Sequence, residues 1–313
     1  METREVYTPK QEDIFELATP GKTPEDYKNR DIKSLDLDMK AFISQPEIHR
    51  REILDFGDEG FLLSNVLTVE ECKEIIQRGE DIGFSEIGVR KDYRNSDRIM
   101  VRSEDLSRLL WQRVRGFLED LVVEGDPHKV HIHGVESMLQ GRWRPAYMNP
   151  LFRLCRYHPG GHFAPHFDGH FVQSSTERSM KTFMLYLNGG FSGATTNFVD
   201  ESQQLYKDET GKYCAEEKNI LHRVTPETGL AICFNHHRLH EGEALKNGVK
   251  YILRTDILYQ KVDGSTASAE DDEAMRLVQE ADRLESSGDT LQAMELYRKA
   301  FKLSPAVAKS FGN

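Results

Sequence analysis

Positive charge is in short supply in this chain: 41 lysines and arginines stand against 52 aspartates and glutamates, for a formal net charge of −11. That balance opposes sequence-independent binding to nucleic acid, which needs a cationic surface matched to phosphates. Long apolar runs are missing too. No stretch approaches the roughly 18 residues that a membrane helix requires, and no membrane association is expected. The amino terminus, Met-Glu-Thr-Arg-Glu-Val-Tyr, lacks the basic and apolar regions of a secretory signal. Cysteine is sparse. Cys72, Cys155, Cys214 and Cys233 are scattered without a Cys-x-x-Cys pair, which is the usage of free thiols in a reducing compartment and not of a disulfide framework. A cytoplasmic or nuclear location is therefore expected. What is present, 38% hydrophobic and 30% charged residues over 313 positions, suffices for one sizeable core and a smaller appendage.

Residues 1–52 are polar, charged and weakly patterned, which predicts an N-terminal arm that is ordered only in part or is disordered. From residue 53 the apolar positions become regular. Phe61-Leu-Leu-Ser64 reads as a short strand. Thr68-Val-Glu-Glu71 spells a capping box, and Cys72, Ile75, Ile76 and Gly79 follow at helical spacing. A second amphipathic helix is predicted over 103–122, with Leu106, Leu109, Leu110, Val114, Phe117, Leu118 and Leu121 as its apolar stripe.

Beyond residue 150 short β-branched and aromatic segments alternate with Gly, Asn, Asp and Ser, at 151–157, 162–167, 181–187, 195–199, 229–234 and 250–258. Two helices followed by many short strands predict an α+β, mostly β domain over 53–260. Its core would be an antiparallel jelly roll (a double-stranded β-helix) backed by the N-terminal helices. A loop-rich insertion at 200–224 and a loop at 85–102, carrying Arg90, Tyr93, Arg94 and Arg98, are candidate substrate walls. Residues 261–273 read as a flexible acidic linker. The helical period then returns over 274–313. Leu277, Ala281 and Leu284, followed by Gly288-Asp289, Ala293, Tyr297, Ala300 and Pro305, match the spacing of a tetratricopeptide repeat. One such helical hairpin cannot bury its faces alone, so it would dock on the main domain or on a partner protein.

The stretch that carries chemistry is Tyr157-His-Pro-Gly-Gly-His-Phe-Ala-Pro-His166-Phe-Asp168-Gly169. Residues two apart in a strand point to one face. His166 and Asp168 could thus grip a metal from one side and, with His240 brought alongside by the fold, make a 2-His-1-carboxylate set. Such a set leaves coordination positions open, as non-haem Fe(II) oxygenases require. A His-x-Asp triplet means little alone, since 12 histidines in an acidic chain make about one by chance. Its surroundings carry more weight.

Those surroundings come in a recognisable order. Arg156-Tyr157, Pro159-Gly160-Gly161 and Phe163 precede Pro165-His166-Phe167-Asp168-Gly169. Thr182-Phe-Met-Leu-Tyr186-Leu187-Asn188 follows, then Gly193-Ala-Thr-Thr196-Asn-Phe198, in which Ala194 stands where the pattern has a second glycine. Gly229-Leu-Ala-Ile-Cys-Phe-Asn-His-His-Arg-Leu-His240-Glu-Gly242 and Gly248-Val-Lys250-Tyr251 complete the series. Over residues 53–260 the chain resembles the prolyl 4-hydroxylase-like branch of the Fe(II)/2-oxoglutarate-dependent dioxygenases.

The resemblance implies Fe(II) on His166, Asp168 and His240, with 2-oxoglutarate and O₂ as co-substrates and ascorbate as a further candidate cofactor. It also implies a cation for the distal carboxylate of 2-oxoglutarate, because an unpaired buried charge is costly. Lys250, ten residues after His240, stands at that position, and Tyr157 could add a hydroxyl donor. Arg254 is a rival, since it lies on the Lys250 face of the strand and a planar fork suits a carboxylate. The other reading of Arg254 is a structural ion pair with Asp256 or a loop carboxylate. Because Asp168 fills the carboxylate position, the implied reaction is hydroxylation and not halide transfer. The implied target is a C–H bond of a prolyl residue in a protein or peptide, with release of succinate and CO₂. A hydroxylase of a free amino acid or other small molecule, and a non-catalytic metal-binding scaffold working through the C-terminal hairpin, are the alternatives. His131, His133, His158, His162, His170, His236 and His237 read as ordinary hydrogen-bonded histidines.

Overall fold

The computed structural model describes residues 32–53, 60–87, 90–124, 139–174, 176–262, 269–286 and 290–310. Residues 1–31 of the predicted arm, His131 and His133, residues 263–268 of the predicted linker and Gly288-Asp289 lie outside these. Ten strands frame the domain: β1 (Gly60–Ser64), β2 (Arg94–Arg102), β3 (Leu151–Tyr157), β4 (His162–His166), β5 (Glu177–Tyr186), β6 (Thr196–Val199), β7 (Ile220–Val224), β8 (Ala231–Asn235), β9 (His240–Gly242) and β10 (Lys250–Lys261). Two sheets share them. The larger runs β2-β3-β10-β5-β8-β1, with His49–Glu52 added at its edge, and the smaller runs β7-β6-β9-β4. All of these ladders are antiparallel. β2 belongs to both sheets, pairing with β3 over Asp97–Arg102 and with β4 at Arg94 and Asn95.

The period of two decides what each face buries. Phe152, Leu154, Phe183, Leu185, Leu253 and Ile257 point outward onto helix α1 (Val69–Ile82) and helix α2 (Glu104–Val114), meeting Cys72, Ile75, Leu106, Leu110 and Val114. Their alternates Cys155, Tyr157, Met184, Tyr186 and Ile252 point inward and meet Phe198 and Val224 of the smaller sheet. This is the expected jelly roll with helices on one face. The capping box opens α1: Thr68 Oγ1 accepts from the Glu71 amide and Glu71 accepts from the Thr68 amide. Glu71 also takes two guanidinium bonds from Arg113 of α2, at 2.7 and 2.8 Å, and thereby ties the two helices together.

Four sequence expectations need correction. The second helix stops at Val114, not near 122; a 3₁₀ turn over Arg115–Phe117 follows at Gly116, a weak helix former, and Leu121–Val123 is a strand paired with Gly141–Met148. Leu121 is thus a core residue by strand pairing. The 85–102 segment is a hairpin and not a loop, with Ser85–Ile87 paired to β2. The insertion ends in β7, which pairs with β6, so only 200–219 is loop-like. The acidic residues assigned to a linker open a helix: α3 spans Ala269–Ser286, with Glu270, Asp271 and Asp272 in its first turn, where carboxylates favour the helix dipole.

The described part of the arm begins with Ile32–Ser34, which pairs in parallel with Met100–Arg102. At the other end of the chain α3 packs against α4 (Thr290–Leu303) and α5 (Pro305–Ser310) through Ala274, Val278, Ala300 and Val307. This cluster rests on Val172, in the short strand Val172–Ser174 beside β5. No helix among the described residues is long and apolar enough to cross a membrane.

Candidate active site

His166 closes β4 and His240 opens β9, and the two are direct partners in the antiparallel register. Asp168 lies just past the strand end, where its amide donates to the His236 carbonyl at 3.1 Å. The chain turn, and not strand parity, therefore brings Asp168 to the histidines. His166 Nε2 is 3.6 Å from Asp168 Oδ1, and His240 Nε2 is 3.7 Å from Oδ2. One donor atom from each of the three buried residues lies within 4.8 Å of the others. Each Nδ1 is 2.8 to 2.9 Å from a backbone carbonyl, Ala164 for His166 and Arg238 for His240. A carbonyl can only accept, so Nδ1 carries the proton and Nε2 presents its lone pair inward, as metal-binding imidazoles do. Burial pushes His240 down to about 3, with the neighbouring His166 adding to the effect. It is neutral at physiological pH.

Asp168 is gripped on both oxygens. Arg254 Nη1 sits 2.9 Å from Oδ1, and Thr182 donates its hydroxyl to Oδ2 at 2.7 Å. Burial would raise the carboxyl, but the Arg254 guanidinium beside it holds it well below the usual range. Behind Thr182 stands His236, with Nδ1 2.9 Å from the Thr182 hydroxyl and Nε2 2.9 Å from Ser179 Oγ. With its hydroxyl proton given to Asp168, Thr182 accepts from His236 Nδ1, and Ser179 serves the other nitrogen. Burial keeps His236 neutral, far below its ordinary value. The Phe163 ring stacks on His166 with centroids 3.5 Å apart.

Lys250 is the cross-strand partner of Tyr157, on the inner face of the larger sheet. It is 4% exposed. Its ammonium donates to the Ala194 carbonyl at 2.6 Å and lies 5.6 Å from the Tyr157 ring centroid and 5.2 Å from that of Tyr186. Among the described residues no carboxylate pairs with it, and burial lowers its pKa to about 7. Arg254 shares that face but points elsewhere, to Asp168 and, at 3.7 Å, to Asp256. Of the residues read from the sequence, the fold therefore brings together His166, Asp168, His240 and Arg254, and separately Lys250 and Tyr157. Thr182 and Phe163 were not singled out as site residues in their own right. Thr182 could have been found only with the strand register in hand.

The two candidate substrate walls dock on each other. Lys207 and Arg90 both pair with Asp92, at 3.0 and 3.1 Å, and the Tyr213 amide donates to the Asp92 carbonyl. A small cavity between Ala164, Pro165, Gln203, Leu205, Tyr206 and Tyr213 opens beside β4.

Residues 152–255 match the family model of the 2OG-Fe(II) oxygenase superfamily, a span that contains every residue of the site just described. No curated protein matches the chain. Among solved structures it is similar to a viral collagen prolyl hydroxylase from Paramecium Bursaria Chlorella virus-1, at 19% identity and a TM-score of 0.41, covering 66% of this chain and 99% of that one. It is also similar to a Pseudomonas putida prolyl-4-hydroxylase, at 12% identity, 65% and 93% coverage and a TM-score of 0.40. A third is a Trichoplax adhaerens prolyl hydroxylase in complex with a hypoxia inducible factor peptide fragment, at 13% identity, 65% and 84% coverage and a TM-score of 0.41.

Proposed function

We propose that this chain is an Fe(II)- and 2-oxoglutarate-dependent hydroxylase acting on a C–H bond, with a prolyl residue of a protein or peptide as target and succinate and CO₂ as by-products. The observation that carries the reading is Lys250, a buried ammonium in no direct ion pair among the described residues, with Glu243 as its nearby carboxylate, inside the same barrel as two imidazoles and a carboxylate. A protein does not gain by burying an uncompensated cation unless a ligand supplies the anion. A dicarboxylate oxoacid does so with one end and reaches a metal with the other.

His166, Asp168 and His240 would hold the iron, Lys250 the distal carboxylate, and Tyr157 a hydroxyl beside it. When bound, iron and the oxoacid supply the oxidising power needed to activate O₂. The protein's own part is orientation. The Ala164 and Arg238 carbonyls aim both imidazoles, Thr182 and Arg254 fix the carboxylate, and the apolar walls Tyr186, Phe198 and Phe234 exclude water. Arg254, committed to Asp168, leaves the distal carboxylate to Lys250. The C-terminal hairpin is a candidate partner-binding element.

Anaerobic titration with Fe(II) and then 2-oxoglutarate tests this reading. The expected result is a visible charge-transfer band in the wild type that is absent in His166→Ala and, at the same 2-oxoglutarate concentration, in Lys250→Met. Well-folded protein without a band would point to the scaffold instead.

A further inference from the structure

Ser179 and Thr182 lie on β5, three residues apart, yet both reach the ring of His236. An odd separation puts two side chains of a regular strand on opposite faces. β5 is not regular there. Against β10 it advances two residues for one, from Ser179 opposite Leu258 to Lys181 opposite Ile257, so Met180 is the extra residue of a β-bulge. A bulge re-aims the side chains beside it. This one returns Ser179 to the Thr182 side, and His236, the residue after β8, sits between the two hydroxyls.

The direction of every hydrogen in this set is fixed from the Asp168 end. An ionised carboxylate only accepts, so Thr182 donates to Asp168 Oδ2, at 2.7 Å. Thr182 then accepts from His236 Nδ1 at 2.9 Å, which leaves Nε2 of the neutral ring as an acceptor for the Ser179 hydroxyl, also at 2.9 Å. Ser179 in turn accepts from the Phe171 amide at 2.7 Å. Phe171 is a firm end point. Its carbonyl accepts from the Ser179 amide at 2.7 Å, and the next residue, Val172, carries the C-terminal helix cluster. Four donors therefore point one way, from a backbone amide to the carboxylate. Ser179, Thr182 and His236 are each at most 3% exposed, so water does not compete, and aligned bonds in a dry site strengthen one another.

We propose that His236 and Ser179 are positioning residues of the metal site: Ser179 locks His236 as the Nδ1–H tautomer, and His236 aims the Thr182 hydroxyl at Asp168 and so fixes the rotation of the metal-binding carboxylate. The proposal rests on the metal-site reading above. Without the imidazole N–H the Thr182 hydroxyl is free to turn, and of the two bonds that grip Asp168 only the one from Arg254 stays fixed.

Mn(II) titration of the full chain without 2-oxoglutarate reads the metal site by itself. His236→Leu removes both ring nitrogens and is expected to weaken Mn(II) about tenfold or more. His236→Asn offers a side-chain N–H where Nδ1 stood, and is expected to stay within about threefold of the wild type. Ser179→Ala leaves Asp168, Thr182 and His236 in place and is expected to weaken Mn(II) by a smaller factor than His236→Leu. Nitrogen NMR of the histidine rings in the metal-free wild type is expected to show the His236 proton on Nδ1, and this test stands even where His236→Leu folds poorly. A proton on Nε2, unchanged Mn(II) affinity in His236→Leu beside a lowered melting temperature, or equal losses in His236→Leu and His236→Asn overturns the proposal and leaves the metal site standing. A well-folded wild type that binds no Mn(II) overturns the metal site itself, and this proposal with it.

Discussion

Lys250 gives a hydrogen bond to the carbonyl of Ala194, 2.6 Å away, faces the rings of Tyr157 and Tyr186, and makes no direct ion pair among the described residues. An ammonium in that position costs folding free energy that a bound dicarboxylate returns. Lys250→Met keeps the length of the side chain and removes the charge. The variant is expected to be more stable than the wild type by about 1–4 kcal/mol without ligand, and to lose the rise in melting temperature that 2-oxoglutarate gives the wild type. Thermal melts with and without 2-oxoglutarate check both halves.

The same group sets a pH dependence. Lysine in the unfolded chain titrates near 10.5, and in the folded protein burial brings it to about 7. Between those values the unfolded chain holds a proton that the folded one has released, so this group makes stability rise with pH from about 7 to about 10.5; below 7 the cost of the buried charge is present in full. A bound carboxylate reverses the shift. Binding of 2-oxoglutarate should therefore take up a proton above pH 7, with affinity falling roughly tenfold per pH unit. Calorimetric titration in two buffers of different ionisation enthalpy reads the proton directly.

Thr182 holds the second oxygen of Asp168 and is itself held by His236. Thr182→Val preserves shape and deletes both bonds. A loss of about 10- to 100-fold in Mn(II) affinity is expected. Unchanged affinity, with only a lower melting temperature, would mean that Thr182 serves the core alone.

Glu71 is fully buried, caps α1 and carries the two bonds from Arg113. Glu71→Ala strands the Thr68 amide and takes the carboxylate from the buried Arg113 guanidinium, leaving it only the Val66 and Ser44 carbonyls. A destabilisation of about 3–5 kcal/mol is expected in urea unfolding, with the 2-oxoglutarate affinity of the folded fraction unchanged.

The sequence made the jelly roll visible because its short β-branched and aromatic segments are separated by Gly, Asn, Asp and Ser, and its ligand residues are rare types in tight spacing. The partner of Arg254 was not visible. It depends on where the chain goes after β4 ends at His166, a turn fixed by the bond from the Asp168 amide to the His236 carbonyl across nearly seventy residues. Ala194 shows the same limit from the other side. The substitution of alanine for a glycine was plain in the motif, yet only the backbone, with φ of 58°, shows that alanine occupies the left-handed region and turns its carbonyl to Lys250. The overextended second helix and the placing of residues 269–273 in a linker failed for a simpler reason. Apolar residues at helical spacing also fit a turn followed by a strand, and acidic residues serve a helix start as well as they serve a tether.

β2 remains to be read in terms of cooperativity. One strand lends its first residues to the sheet that carries His166 and His240 and the rest to the sheet that carries Lys250. The two sheets cannot part without tearing that strand from one of them, so the metal side and the carboxylate side of the barrel form one opening unit. Amides of β9 and β10 should therefore share a single exchange free energy, and the protein loses both halves of its site together or neither.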